Sequence, residues 1–106
     1  MSPAQRHNAG KPELGRVLKF GSALDDLAAV MARGAEKYAE DNWLIGGKPL
    51  AEYIDSATRH LRSVAVGEVY DGDLGTKHLA MAAWNCLAAL RLIDEHAGPP
   101  VRDERW

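Results

Sequence analysis

Glu68 and Asp71 stand three residues apart, a spacing that on a helical turn aims two carboxylates at one point. Two such oxygens suit Mg²⁺, which takes one or two carboxylates from a protein and leaves its other octahedral positions to water and phosphate oxygens. ExxD alone also describes a solvated turn with a helix cap, so the reading needs further acidic groups. GAEKYAEDNW, residues 34–43, supplies them: Glu36 and Glu40 share one helical face, and Lys37 and Asp41 share the next. Tyr38, Asn42 and Trp43 add aromatic faces and an amide beside those charges. A charged run at a helix end is ordinarily just solvated, but this mixture suits a nucleotide, with a ring for the base and a lysine for the phosphates. Trp43 reads equally well as a base stack and as a cap on the core.

Arg59 and His60 form a second group. A guanidinium grips phosphate oxygens bidentately and a neighbouring imidazole donates another hydrogen bond, so the pair makes a phosphate clamp. Asp55, four residues before Arg59, offers the plainer alternative of a surface ion pair. Asp71, His78 and Asn85 recur every seven residues and so line one face of an otherwise apolar helix. Singly they read as an N-cap, a satisfied core histidine and a register-fixing amide; together they mark a site. The chain has no GxxxxGK[ST] loop, no HExxH and no paired CxxC, so any phosphate chemistry would rest on carboxylates and a metal ion.

Three helices must position these groups. Leu24, Leu27, Ala28, Met31, Ala35 and Tyr38 recur at the spacing of one helical face, with Ser22 as N-cap and Asp25 and Asp26 in the first turn. Asn42 to Pro49, with Gly46 and Gly47, reads as a loop, and Pro49 takes the first position of a second helix. There Leu50, Tyr53, Ile54, Ala57, Leu61 and Val64 make the inner stripe, and Gly67 closes the helix. A polar connection, Asp71 to Gly75, leads to a third helix ending near Glu95, before Gly98, Pro99 and Pro100. This third helix is apolar almost all round from Leu79 to Leu90, which places it at the centre or at a dimer seam. Residues 1–20 read as an arm and 96–106 as a tail, and no segment alternates like a strand. The expected fold is an all-α bundle of three main helices.

With 106 residues, 46% hydrophobic and 26% charged, the chain has room for one domain and the composition of a folded one. A net charge of -2 with no basic recognition helix speaks against a nucleic-acid partner. No apolar run approaches the roughly 20 residues of a membrane span, and no signal-peptide core opens the sequence. The single Cys86, in an apolar run, reads as a buried thiol of a reduced, cytoplasmic protein. A helical domain this small commonly completes its core with a second copy.

The motifs GKPEL at 10–14, GAEKYAEDNW at 34–43, ATRHL at 57–61, GEVYD at 67–71 and GTKHLAMAAWNCLAAL at 75–90 follow one another in specific order and spacing. Through them the chain resembles, nearly end to end, the small phage and bacterial family of dATP/dGTP diphosphohydrolases, relatives of the MazG-like all-α nucleoside triphosphate pyrophosphohydrolases. The resemblance implies a homodimer or homotetramer that hydrolyses a deoxypurine triphosphate to monophosphate and pyrophosphate with Mg²⁺ or Mn²⁺. MazG-like enzymes present ExxE on one helix and ExxD on the next. Glu68 with Asp71 resembles the second half, whereas the first helix here carries Glu36 and Glu40 four apart. On that reading Glu68, Asp71 and Glu36 or Glu40 are the metal ligands, and Lys37, Arg59 and Lys11 hold phosphates. His60 and His78 orient phosphate or water, and Tyr38, Asn42, Trp43 and Asn85 hold the nucleoside. A second histidine is common in the family where Met81 stands here, which leaves His78 acting alone. The competing reading is a non-catalytic helical dimer that binds a nucleotide or a protein partner.

Overall fold

A computed structural model of the chain describes residues 9–45 and 48–95. Its order is a 3-10 helix at Leu14–Phe20, α1 at Ala23–Tyr38, a single turn α2 at Asn42–Ile45, α3 at Leu50–Ala65 and α4 at His78–Glu95. The fold is all-α, and among the described residues the only strand-like pairing is an isolated antiparallel bridge between Tyr70 and Lys77. The two small helices correct the expectation of an arm over residues 1–20 and of a loop from Asn42 to Pro49. The first eight residues of that arm, the Gly46–Gly47 turn and the tail from 96 lie outside the described residues.

Helix boundaries follow from local backbone chemistry. Ser22 precedes α1 but has helical dihedrals, φ -63° and ψ -14°, and its side chain makes no capping bond. A capping side chain reaches back only from an extended residue, so the expected serine cap is absent. Pro49 is the residue before α3 rather than its first, with the extended backbone that such a position requires. At the end of α3, Gly67 takes φ +93°. Its N–H donates to Val64 and that of Glu68 to Ser63, the paired bonds by which a left-handed glycine stops a helix.

α3 and α4 pack antiparallel. Tyr53 near the start of α3 meets Ala88, Ala89 and Leu92 near the end of α4, with Trp43, Leu50 and Trp84 against the same cluster. On α4 the buried positions are His78, Ala82, Asn85, Ala88, Ala89 and Leu92, a stripe at heptad-like spacing that faces α3. Buried Ala51 and Ala57 on α3 let the two backbones approach closely. α1 lies across α4 and contributes Val30, which its apolar periodicity had not singled out, as its one buried side chain.

The large apolar side chains are mostly outside. Met31, Tyr38, Ile54 and Leu61, expected on inner stripes, are exposed, as are Leu79, Leu87 and Leu90 of α4. Cys86 is exposed too, which corrects its reading as a core thiol. The reason is geometric: α4 carries two apolar faces, α3 covers one, and Cys86 lies on the other between Leu79 and Leu90. Among the described residues no helix is long and apolar enough to cross a membrane.

Candidate active site

The connection between α3 and α4 is a tight hairpin rather than a helical turn. Asp71 N–H donates to Thr76 O at 2.8 Å and His78 N–H to Val69 O at 2.9 Å, flanking the Tyr70–Lys77 bridge. Gly75, at φ +73°, closes the turn. Asp71 Oδ2 accepts N–H bonds from Leu74 at 2.7 Å and Asp73 at 3.0 Å, an aspartate-capped turn that fixes the carboxylate. Those two N–H groups, the Leu74 one foremost, hold the Asp71 carboxyl below the usual carboxylate range. Asp71 therefore neither lies on α4 nor caps it, and Glu68 and Asp71 do not share a helical turn.

The hairpin delivers Asp71 to two histidines. His60 Nδ1 from α3 lies 2.8 Å from His78 Nδ1, the first residue of α4. One ligand atom each from His60, Asp71 and His78 falls within 4.8 Å of the others, a group able to hold a metal ion. His78 thus has a histidine partner, from the neighbouring helix instead of position 81. Burial, then the proximity of His78, pushes the His60 imidazole below its ordinary pKa, which favours the neutral ring that metals bind. Glu68 Oε2 lies 3.8 Å from Nε2 of His78, on the opposite side of that ring from His60.

This cluster borders a cleft of about 660 Å³ lined from all four α-helices, a size typical of small-molecule sites. α1 and the turn after it contribute Lys37, Tyr38 and Glu40, α2 contributes Asn42 and Trp43, and α3 contributes Arg59 and His60. Lys37 also forms an ion pair with Asp73 of the hairpin, which raises its pKa. Asn85 lines the cleft from α4 while its Nδ2 donates to Met81 O at 2.9 Å. Trp43 caps the core, its ring meeting Trp84 edge to face at 5.7 Å, and it also lines the cleft.

Three candidates lie elsewhere. Glu36 is paired with Arg33 at 3.2 Å on the exposed side of α1, outside the cleft lining. Glu68 reaches His78 but not the cleft, and Lys11 sits with Gly10, Pro12 and Glu13 in a separate hollow. Glu36 is therefore not gathered with Asp71, and Glu40 lines the same cleft without joining the group of Asp71, His60 and His78. Sequence reasoning missed Asp73, Met81, Trp84 and Tyr53 as cleft residues. Met81 was recoverable from helical period, lying between His78 and Asn85 on one face.

The turn from α1 into α2 is strained. Ala39 has φ 123° and Asp41 φ 57°, the positive-φ positions among the described residues that are not glycine. Ala39 in particular occupies a region nearly reserved for glycine, at a cost of about 1–3 kcal/mol. Both residues line the cleft, and the sharp reversal they make carries Asn42 and Trp43 back against it.

Comparison with known proteins agrees with the residues that carry the resemblance. The chain is 28% identical over 82 residues to a protein of Salmonella phage PMBT28 named dATP/dGTP diphosphohydrolase. That match covers 77% of this chain but 27% of the phage protein, so the chain spans about a quarter of its relative's length. No solved structure matches. The family model described as dATP/dGTP diphosphohydrolase, N-terminal, matches residues 1–102, and the chain belongs to that family.

Proposed function

We propose that this protein hydrolyses a deoxypurine nucleoside triphosphate, dATP or dGTP, to the monophosphate and pyrophosphate, with Mg²⁺ or Mn²⁺ as cofactor. The observation that carries the reading is a cleft bordered by a metal-capable cluster and lined by cationic side chains, Lys37, Lys48 and Arg59, and by the aromatic rings of Tyr38, Trp43, Tyr53 and Trp84. The family and the name of the phage relative support the same chemistry.

In the reaction a water oxygen bonds to the α-phosphorus as the bond to the bridging α–β oxygen breaks, and pyrophosphate leaves. A divalent cation supplies Lewis-acid polarisation of phosphate oxygens and a more acidic water. Asp71, His60 and His78 are the residues that fit such an ion. Arg59 and Lys37 offset the charge that builds on the departing pyrophosphate, and preorganised cations help the transition state most there. Lys37 must exchange its Asp73 partner for phosphate. Trp43 and Tyr38 present ring faces to the base, while Asn42 and Asn85 supply amides for base or sugar. Glu68, behind His78, orients that imidazole. On this reading the protein acts in the cytoplasm, and as a homo-oligomer, since the described residues leave the leucine face of α4 exposed.

The test is incubation of pure protein with dGTP or dATP and Mg²⁺ or Mn²⁺, with an EDTA control. Monophosphate and pyrophosphate are expected in equal amounts and only with metal. Binding without turnover would instead support the non-catalytic nucleotide-binding dimer, and release of inorganic phosphate would refute the bond assignment.

A further inference from the structure

We propose that His60, His78 and Asp71 form a single two-histidine, one-carboxylate site that prefers a first-row transition ion over Mg²⁺. Three separate elements converge on it: α3 brings His60, the hairpin brings Asp71, and α4 opens with His78. This inference deepens the proposed hydrolysis by naming the ion that serves it, and rests on that reading only for what the ion does.

The donor set decides the preference. Mg²⁺ takes hard oxygen ligands and dehydrates reluctantly, so two imidazole nitrogens are poor partners for it. Imidazole suits the ions from Mn²⁺ through Zn²⁺, with affinity rising along the row. The spacing fits as well. Two nitrogens held at about 2.1 Å from one ion at a right angle are roughly 3.0 Å apart, and the two Nδ1 atoms are 2.8 Å apart. The plain alternative is an N–H···N hydrogen bond shared by the two rings, which accounts for that distance but not for the third ligand. Asp71 is held by two backbone N–H groups on Oδ2, so its carboxylate is fixed before any ion arrives.

The surroundings complete the pattern. Glu68 Oε2 is 3.8 Å from His78 Nε2. That separation is longer than a hydrogen bond, so Glu68 acts through its charge, which favours the tautomer with the proton on Nε2 and leaves the Nδ1 lone pair for His60 and Asp71. Glu68 is thus a positioning residue. One carboxylate against a divalent ion leaves the ion a net positive charge for phosphate oxygens, beside a cleft lined by Arg59 and Lys37 and also by Glu40, Asp41 and Asp73.

The experiment is calorimetric titration of metal-stripped full-length protein with Mg²⁺, Mn²⁺, Co²⁺ and Zn²⁺. Visible absorption of the Co²⁺ form and imidazole ¹⁵N spectra of the Zn²⁺ form report the ligands. One ion per chain is expected, with Co²⁺ and Zn²⁺ at least 100-fold tighter than Mg²⁺ and two histidine nitrogens shifted. His60→Gln should weaken Co²⁺ at least 100-fold, and Glu68→Gln about 10-fold with a change in the pH dependence of binding. His60 is the variant of choice because it is less buried than His78, and circular dichroism verifies its helices. Equal affinity for Mg²⁺ and Co²⁺, or unaltered Co²⁺ binding in His60→Gln, overturns the site. Tight histidine-dependent binding with no nucleotide turnover keeps the site and refutes the hydrolysis; full Mg²⁺-dependent turnover in His60→Gln does the reverse.

Discussion

Asp71 serves both the fold and the chemistry, and asparagine separates the two. Its Oδ2 accepts the N–H groups of Leu74 and Asp73, and an amide oxygen can accept both without the charge. Hydrogen bonds to a charged acceptor contribute about 1.5–3 kcal/mol and neutral ones about 0.5–1.5. Asp71 is half-buried, so values near the low ends apply. Asp71→Asn should then lose about 1–2 kcal/mol, while Asp71→Ala, which removes the acceptor, should lose about 3. At about 4–8 °C per kcal/mol for a domain near this size, Tm falls by roughly 4–16 °C and 12–24 °C respectively. Nucleotide hydrolysis behaves differently: both variants should drop together, by at least about 1000-fold, because both lack the charge. Thermal melts followed by circular dichroism, with pyrophosphate release measured well below the variants' Tm, give both readouts. Hydrolysis within twofold of wild type in Asp71→Asn would reduce the carboxylate to a turn acceptor. Equal stability of the two variants would show that the turn bonds contribute nothing.

Ala39→Gly relieves a backbone that glycine adopts freely, and after the entropic cost of glycine it should raise Tm by about 4–8 °C; a lower Tm would show that Ala39 is not strained. Burial raises the Tyr53 phenol above its ordinary pKa, with the Glu52 charge adding and the Lys48 N–H opposing. The folded state therefore holds that proton more tightly than the unfolded chain, so stability is full below about pH 10 and lost as pH climbs through the folded value. Tyr53→Phe should flatten that alkaline loss in denaturant titrations from pH 8 to 11, and an unchanged slope would assign the loss to another group. Leu87→Glu with Leu90→Glu charges the exposed face of α4 and should convert the proposed homo-oligomer to a helical monomer in light scattering; a monomeric mass before the change, or an oligomeric mass that resists it, refutes the α4 interface.

Helix content was legible because the strong signals were local. The apolar periods of α1 and α3, Gly67 and the run from His78 to Glu95 each announce themselves within a few residues. Sidedness was not legible, because a helix apolar on two faces, such as α4, does not say which face its own chain covers. Cys86 was misplaced for that reason, and alanines took interior positions that larger side chains such as Leu61 were expected to fill. In the site, the seven-residue spacing of Asp71, His78 and Asn85 pointed to the right neighbourhood by the wrong geometry. Asp71 reaches His78 through a hairpin, and hairpin pairing of Val69 with His78 leaves little trace in a segment this short. The meeting of His60 with His78 depends on the crossing of two helices, which no single-segment pattern encodes.

α1 is held to the hairpin by a reciprocal exchange: its Lys37 pairs with Asp73, and its Asp26 accepts Lys77 at 3.0 Å. With a single buried side chain of its own, this helix owes its attachment largely to charges that water reaches. Exposed pairs weaken as ions crowd in, over a screening distance of about 8 Å at physiological salt. Ionic strength is therefore a tuning variable for the outer wall of the cleft, able to loosen α1 while the α3–α4 pair, fastened by contact rather than by charge, stays shut.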